Sequence, residues 1–489
     1  MNAPPSHLVA PLLALLAGCA VGPDFEAPAP PAVERYTPGP APQAAAMPVL
    51  VEAQAPQSAW WTVFGSAKLD ALVQAALADS PTLAQARARL TQAQELRAAR
   101  AGVAELPQVD ASFGAERQRI DPATFGFPQA PNPGPFNVFS LGASVRYDFD
   151  VFGGTRRDLE ALGAEVDVKR YELEAARLLL AGNVVLTAIR IASLDAQIGA
   201  LDALLAAERQ QLAIVEARWV AGGVSALDLQ QQRALRAQAE AGLPLLKAQR
   251  DQAGHLLAVL IGREPAEAAG ATPQLADLAL PATLPLRLPS ALVRQRPDIR
   301  ASEALLHKAS ATVGVATADL YPKFIVSGSF SAAQLDLSDL VGNGINVWNI
   351  GFNLLQPLFR GGELKARQRA AVAAYEQAAA AYRQSVLLGL QNVADALRAL
   401  EGDAQAYTWR SEQAARADEA WRLTRGRFEA GGVSRLALLD AERQRSQARL
   451  DQVQAEASRC ADVAVLLQAM GGGGLPETTA GATTRPATP

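Results

Sequence analysis

Three short segments alternate apolar and polar residues with a period of two. Phe139, Leu141, Ala143, Val145, Tyr147 and Phe149 oppose Ser140, Gly142, Ser144, Arg146 and Asp148. Val109, Ala111, Phe113 and Ala115 oppose Asp110, Ser112, Gly114 and Glu116, and Trp348, Ile350, Phe352 and Leu354 oppose Asn349, Gly351 and Asn353. A fourth, with Phe324, Val326 and Phe330, alternates less cleanly because Ile325 falls among the polar positions. This pattern predicts strands over roughly 108–117, 139–149, 323–333 and 346–356. The rest of the chain follows a helical rhythm. Val166, Leu173, Leu180, Leu194 and Leu201 keep seven-residue spacing, with Thr187 in the gap, as in a coiled-coil seam. No proline falls between Pro135 and Pro244 or between Pro357 and Pro476. Helical arms are therefore expected over about 156–220 and 363–429, and ~65 residues at 1.5 Å each reach about 100 Å. Return arms run from about 226 to 262 and from about 436 to 470, with Pro244 expected to kink the first.

Ala-Gly-Gly-Val-Ser occurs at 221–225 and again at 430–434, each time where a long helix turns back. The copies are too far apart for a solenoid, whose units run to about 20–50 residues. They mark a duplication. Each half opens with a helical segment, near Leu69–Ala104 and near Ser290–Ala318. A proline follows before the strands, in Leu106-Pro107-Gln108 and Tyr321-Pro322-Lys323. We therefore expect a first repeat at 58–270 with its hairpin at ~156–262, and a second at 289–470 with its hairpin at ~363–470. Residues 271–288 are the linker between them, and 471–489 form a Gly/Thr/Pro-rich tail.

The N-terminus changes the compartment. Residues 8–17 (LVAPLLALLA) have the length of a signal-peptide core and end in Leu16-Ala17-Gly18-Cys19, which resembles a bacterial lipobox. The expectation is a signal peptide over 1–18, lipidation at Cys19 and a Pro/Ala-rich linker over 19–57. Ala20 after the cysteine resembles lipoproteins sorted to the outer membrane. The remaining cysteine, Cys460, has no disulfide partner and is expected to pack as a small helix residue. No later stretch has eighteen uncharged apolar residues.

In that setting the strands read as a membrane barrel rather than a half-buried soluble sheet. Membrane strands must close, because an open edge leaves backbone groups unpaired in lipid, and the smallest spanning barrels need about eight strands. Four do not suffice, so the chain must form an oligomer.

Other functions fit poorly. A net charge of −4 leaves no basic footprint for nucleic acid. The three histidines include His7 in the signal peptide; His255 and His307 read as helix-surface residues, too few for a histidine metal site or charge relay. No P-loop and no Gly-x-Ser-x-Gly is present. The reading is not an enzyme, with no catalytic, cofactor or metal residues. A structural coiled-coil lipoprotein is the distant alternative, one that leaves the lipid-like strands unexplained.

The chain resembles the TolC-type outer-membrane efflux proteins, in their lipoprotein branch. The likeness rests on Cys19-Ala20-Val21-Gly22-Pro23-Asp24-Phe25, Trp60-Trp61-x-x-Phe64, Ser80-Pro81-x-Leu83, Asp148-Phe149-Asp150-Val151-Phe152-Gly153, Arg294-Gln295-Arg296-Pro297-Asp298-Ile299 and Pro357-Leu358-Phe359. It implies a mainly α protein with transmembrane β-strands: a homotrimer in which a twelve-stranded β-barrel continues into a twelve-helix α-barrel tunnel. It implies outer-membrane lipid around the barrel, a periplasmic adaptor (membrane fusion) protein at the tips, and an inner-membrane pump behind it. Gly222, Gly223, Val224 and Ser225, with Gly431, Gly432, Val433 and Ser434, then become adaptor-contacting tips. Leu436, Asp440 and Arg443 match a Leu-x-x-x-Asp-x-x-Arg that closes the periplasmic mouth in family members. The first tip carries Leu227 and Asp228 instead. The implied function is passive small-molecule efflux, with a type I protein-secretion duct as the alternative.

Overall fold

The computed structural model describes residues 20–39, 43–52, 59–132, 134–267, 270–340 and 345–472. The signal segment, Cys19 and the tail beyond 472 lie outside the described residues. A short strand β1 (Val49–Glu52) and a 3-10 turn (Trp60–Phe64) precede α1 (Ala67–Asp79) and α2 (Pro81–Glu105). Then come β2 (Gln108–Arg119), β3 (Pro135–Phe149), α3 (Gly154–Val220) and α4 (Ala226–Leu260). The second half repeats the order after β4 (Thr283–Leu286): α5 (Pro289–Gln295), α6 (Pro297–Ala318), β5 (Lys323–Gln334), β6 (Ile345–Leu355), α7 (Glu363–Glu429) and α8 (Arg435–Ala469). The outgoing helices α3 and α7 have 67 residues each, and the return helices α4 and α8 have 35 each. The duplication is thus metrical as well as sequential.

Each opening helix, expected as one segment, is two. Ser80 and Arg296 sit in extended conformation before Pro81 and Pro297. A proline ring disfavours α geometry in the residue before it, so both helices break at the same relative place. Pro244 acts more mildly. It lies inside α4, which continues through it with one backbone donor fewer.

The chain divides into two compact units, each drawing on both halves. The first comprises Met1–Pro28, Arg89–Lys169 and Ser302–Tyr382; the second comprises Ala29–Ala88, Arg170–Ala301 and Arg383–Pro489.

The first unit holds an antiparallel sheet ordered β2-β3-β5-β6. Its register extends the sequence alternation across all four strands. Val109, Val145, Gly328 and Ile350 form one row, and Ala111, Ala143, Phe330 and Trp348 another. On the opposite face Asp110, Ser144, Ser329 and Asn349 align, with Asn349 Nδ2 donating to Ser329 Oγ at 2.9 Å. Ile325, the residue that blurred the fourth strand, stands between Asp148 and Asn353 on this polar side. The apolar face is bare: Ile350 is 76% exposed, Trp348 70% and Val109 68%. Among the described residues β2 and β6 are paired on one side only.

The second unit has a conventional core. Trp60, Phe64, Leu69, Leu257, Leu284, Leu292, Ile299 and Leu397 are fully buried. Trp61 Nε1 donates to Asp70 Oδ1 at 2.8 Å, which satisfies the indole. β1 and β4 pair in parallel. Arg287 donates to the carbonyls of Met470 (2.9 Å) and Gly472 (3.2 Å), and Arg296 to that of Ala469 (2.7 Å). The two arginines thereby occupy carbonyls that the end of α8 leaves open. Part of α3 is apolar enough by composition to cross a membrane, but most of that stretch is buried, as in a core helix. Cys460 is buried, and burial first of all pushes its thiol up to about 11, so it stays an inert packing residue.

Candidate functional site

Both pentapeptides form the same tight turn. After α3, Gly222 donates to the Trp219 carbonyl (2.9 Å) and Gly223 to that of Arg218 (2.7 Å). After α7, Gly431 donates to Phe428 (2.9 Å) and Gly432 to Arg427 (2.7 Å). Gly222 has φ +74° and Gly431 φ +76°, the left-handed region where a side chain is costly. Ser225 and Ser434 then cap the return helices. Val220 is 79% exposed, so at the first tip the apolar surface lies open.

The tips part at the third residue of the return helix. At the first, Asp228 N–H donates to Ser225 Oγ (3.1 Å) while Ser225 N–H donates to Asp228 Oδ2 (2.9 Å), a complete capping box. Bonds from the Ser225 hydroxyl and backbone hold the Asp228 carboxyl below its usual range. At the second tip Ala437 takes that place, and only its N–H reaches Ser434 Oγ (3.2 Å).

Beyond the second tip, Leu436, Asp440 and Arg443 lie along one face of α8. Leu436 is 60% exposed. Asp440 accepts from Arg443 Nη2 at 2.7 Å and from Gln444 Nε2 at 3.0 Å, so both carboxylate oxygens are engaged within α8. Arg443 and Gln444 border a cavity of about 820 Å³ between the two hairpins, whose walls also include Leu201, Glu208, Gln238 and Arg416.

Glu208 was not singled out from the sequence. It is 7% exposed on α3 and accepts from Gln232 Nε2 of α4 at 2.5 Å. Burial raises its pKa, against the Gln232 bond and the nearby Arg443 charge. The signal was present: Glu208 is the next seven-residue step after Leu173, Leu180, Thr187, Leu194 and Leu201, all buried. An acid in a buried seam is costly unless hydrogen-bonded, and here it ties the hairpin together below its tip. The second hairpin instead sets Asp403 beside Asp462, where burial and then the Asp403 charge push the Asp462 carboxyl up to about 7.

His307, expected on an open surface, is half-buried: it stacks on Phe25 at 4.4 Å and meets Glu160 Oε1 at 2.8 Å. The start of the linker is likewise docked, with Arg157 Nη2 donating to Asp24 Oδ1 at 2.6 Å. Composition hid this contact, because Pro/Ala-rich segments read as extended spacers.

The outer membrane efflux protein family matches residues 72–263 and 288–472. The chain is 32% identical over 429 residues to the pyoverdine export outer membrane protein OpmQ of Pseudomonas putida, covering 87% of this chain and 90% of that one. It is 28% identical over 487 residues to the outer membrane protein OprJ of Pseudomonas aeruginosa, covering 97% of each. Among solved structures, the outer-membrane channel OprN superposes with a TM-score of 0.81 at 28% identity, covering 93% of this chain and 99% of that one. The chain belongs to the outer membrane efflux protein family: it is a transport duct of the outer membrane rather than an enzyme, with the fold of the trimeric TolC-type channels.

Proposed function

We propose that this duct is the outer-membrane exit of a three-part pump for small molecules, docked through a periplasmic adaptor protein to an inner-membrane pump. The observation that carries the reading is the sheet: among the described residues it has four strands, a bare apolar face, and two edges with a partner on one side only. Unpaired edges in lipid cost several kcal/mol per group, and about eight strands are needed to span, so three copies supply about twelve. The hairpins that follow each strand pair carry the tips to which the adaptor binds, through Gly222, Gly223, Val224 and Ser225 and through Gly431, Gly432, Val433 and Ser434. The kinship with a protein named for pyoverdine export supports a small solute as cargo. Purified trimers in a planar bilayer test the duct. Ion conduction supports it, whereas a non-conducting filament overturns it. Cells lacking the gene that lose polypeptide export, with solute efflux intact, would reassign it to protein secretion.

Leu436, Asp440 and Arg443 form the closing face. Leucines narrow the bore, and a ring of Asp440 carboxylates filters by charge, as acidic rings do in cation pores. Cys19 is the lipid anchor. Supporting this, Val21 N–H donates to the Phe152 carbonyl at 3.0 Å, just after β3 ends, which puts the start of the described chain at the rim of the barrel strands. Cys19→Ser should abolish palmitate incorporation; unchanged incorporation would refute the anchor.

A further inference from the structure

Residues 20–28 are held on the first unit by a built site. Arg157, buried at the root of α3, donates to Asp24 (2.6 Å), to Glu160 Oε2 (2.8 Å) and through Nε to the Val21 carbonyl (3.4 Å). Glu160 accepts through its other oxygen from His307 Nε2 on α6 (2.8 Å), and the His307 ring stacks on Phe25 with 15° between planes. The fit is close. Gly22, at φ +96°, lies so near Gly314 that a Cβ on it would overlap the Gly314 backbone, while a Cβ on Gly314 would come within 2.7 Å of the Arg157 side chain. With the segment in place the Arg157 side chain is 7% exposed, while its partner Asp24 stays 92% exposed.

The charges of this cluster do not balance when the imidazole is neutral. Arg157 supplies one positive charge against the carboxylates of Asp24 and Glu160. The surrounding charges are engaged elsewhere: Lys308 with Glu165 (2.8 Å), Arg100 with Asp158 (2.5 Å), and Arg156 with Asp150 (3.5 Å). Glu26, exposed on the segment itself, adds negative charge rather than positive. Histidine is the side chain that ordinarily changes charge between about pH 5 and 8.

We propose that the roots of α3 and α6 form a proton-sensitive docking site for the segment just behind the anchor, which grips residues 20–28 more tightly when His307 is protonated. A proton on His307 brings Arg157, Asp24, Glu160 and His307 to neutrality and turns the Glu160 contact into an ion pair. It also places a cation against the Phe25 face. The segment is a latch across two helices whose hold strengthens on acidification. At lower pH still the hold fails. Burial draws the Glu160 carboxyl up, but the bonds from Arg157 and His307 prevail and keep it below its usual range, so its contribution is lost only as pH falls through that depressed value.

The test is hydrogen exchange of the Val21–Phe25 amides in the full-length trimer at about pH 7.5 and about pH 5.5, corrected for intrinsic rate. Protection several-fold greater at the lower pH is expected for wild type. His307→Gln should remove the dependence. His307→Phe, which keeps a ring against Phe25, should remove it as well if the glutamine variant fails to assemble. Glu160→Gln should leave the segment protected to a similar degree at both values. Protection independent of pH in wild type, or undiminished dependence in both His307 variants, overturns the proposal.

Discussion

The two hairpin tips share five residues and one backbone geometry, yet their return helices begin differently. The first locks its return helix with a reciprocal Ser225–Asp228 box; the second makes a single bond from Ser434 and then presents Leu436 and the Asp440–Arg443 pair. Duplication supplied a turn that works, and divergence placed the adjacent acid differently. At the first tip Asp228 is used up in holding the helix end. At the second, Asp440 sits further into the helix, where it can face a bore.

Replacing the glycines tests whether the tips share a backbone. Gly222→Val and Gly431→Val each force a branched side chain to φ near +75°, at a cost of about 1–3 kcal/mol. Thermal unfolding should show losses of the same size, and a loss confined to one variant breaks the equivalence. Capping comes next. Ser225→Ala should cost about 1 kcal/mol or somewhat more because its hydroxyl both accepts from Asp228 N–H and donates to Asp228 Oδ2 (2.7 Å), and Ser434→Ala less because its hydroxyl accepts only from Ala437 N–H. Equal losses would mean the hydroxyl's bond to the Asp228 carboxylate adds nothing.

Acid sharpens the contrast between hairpins. Asp228 has a lowered pKa, so its contribution is present above the unfolded value and disappears as pH falls through the folded one. Asp462 behaves oppositely. Raised from about 3.9 in the unfolded chain to about 7, it favours the folded state at low pH, and that benefit is lost as pH climbs through about 7. Asp462→Asn should flatten the decline in stability between about pH 4 and 7, and Asp228→Asn the decline below about pH 4. A wild-type decline undiminished in Asp462→Asn would show that the Asp403–Asp462 pair does not weaken the second hairpin. The smallest effect belongs to Glu208→Gln. It keeps a hydrogen-bonding group opposite Gln232 and removes only a buried charge, so stability at neutral pH should rise slightly or stay level.

Much of the strand face was legible because period two survives without tertiary context: the rows through Val145 and Ala143 continue the alternation seen within single segments. The long helices were legible from absent prolines and the leucine seam. The breaks at Pro81 and Pro297 were also written there, in residues that precede proline. The docked segment was not. Asp24 and Arg157 lie far apart in sequence, and neither stands out until the fold brings them together. His307 was misread for the same reason, since one helical residue says nothing about an aromatic arriving from the N-terminus. The closing face occupies a middle position. Spacing puts Leu436, Asp440 and Arg443 on one side of α8, but their assignment to a gate rests on family pattern rather than on any property of the isolated helix.

Single-channel conductance in a planar bilayer bears most directly on the claim that the second tip alone closes the duct. Leu436→Ala and Asp440→Ala should raise conductance or open probability, and Asp440→Ala should also weaken cation preference. Leu227→Ala and Asp228→Ala, at the leucine and the acid that follow the first turn, should leave both unchanged. Second-tip variants indistinguishable from wild type, or first-tip variants that open the channel equally, would contradict it.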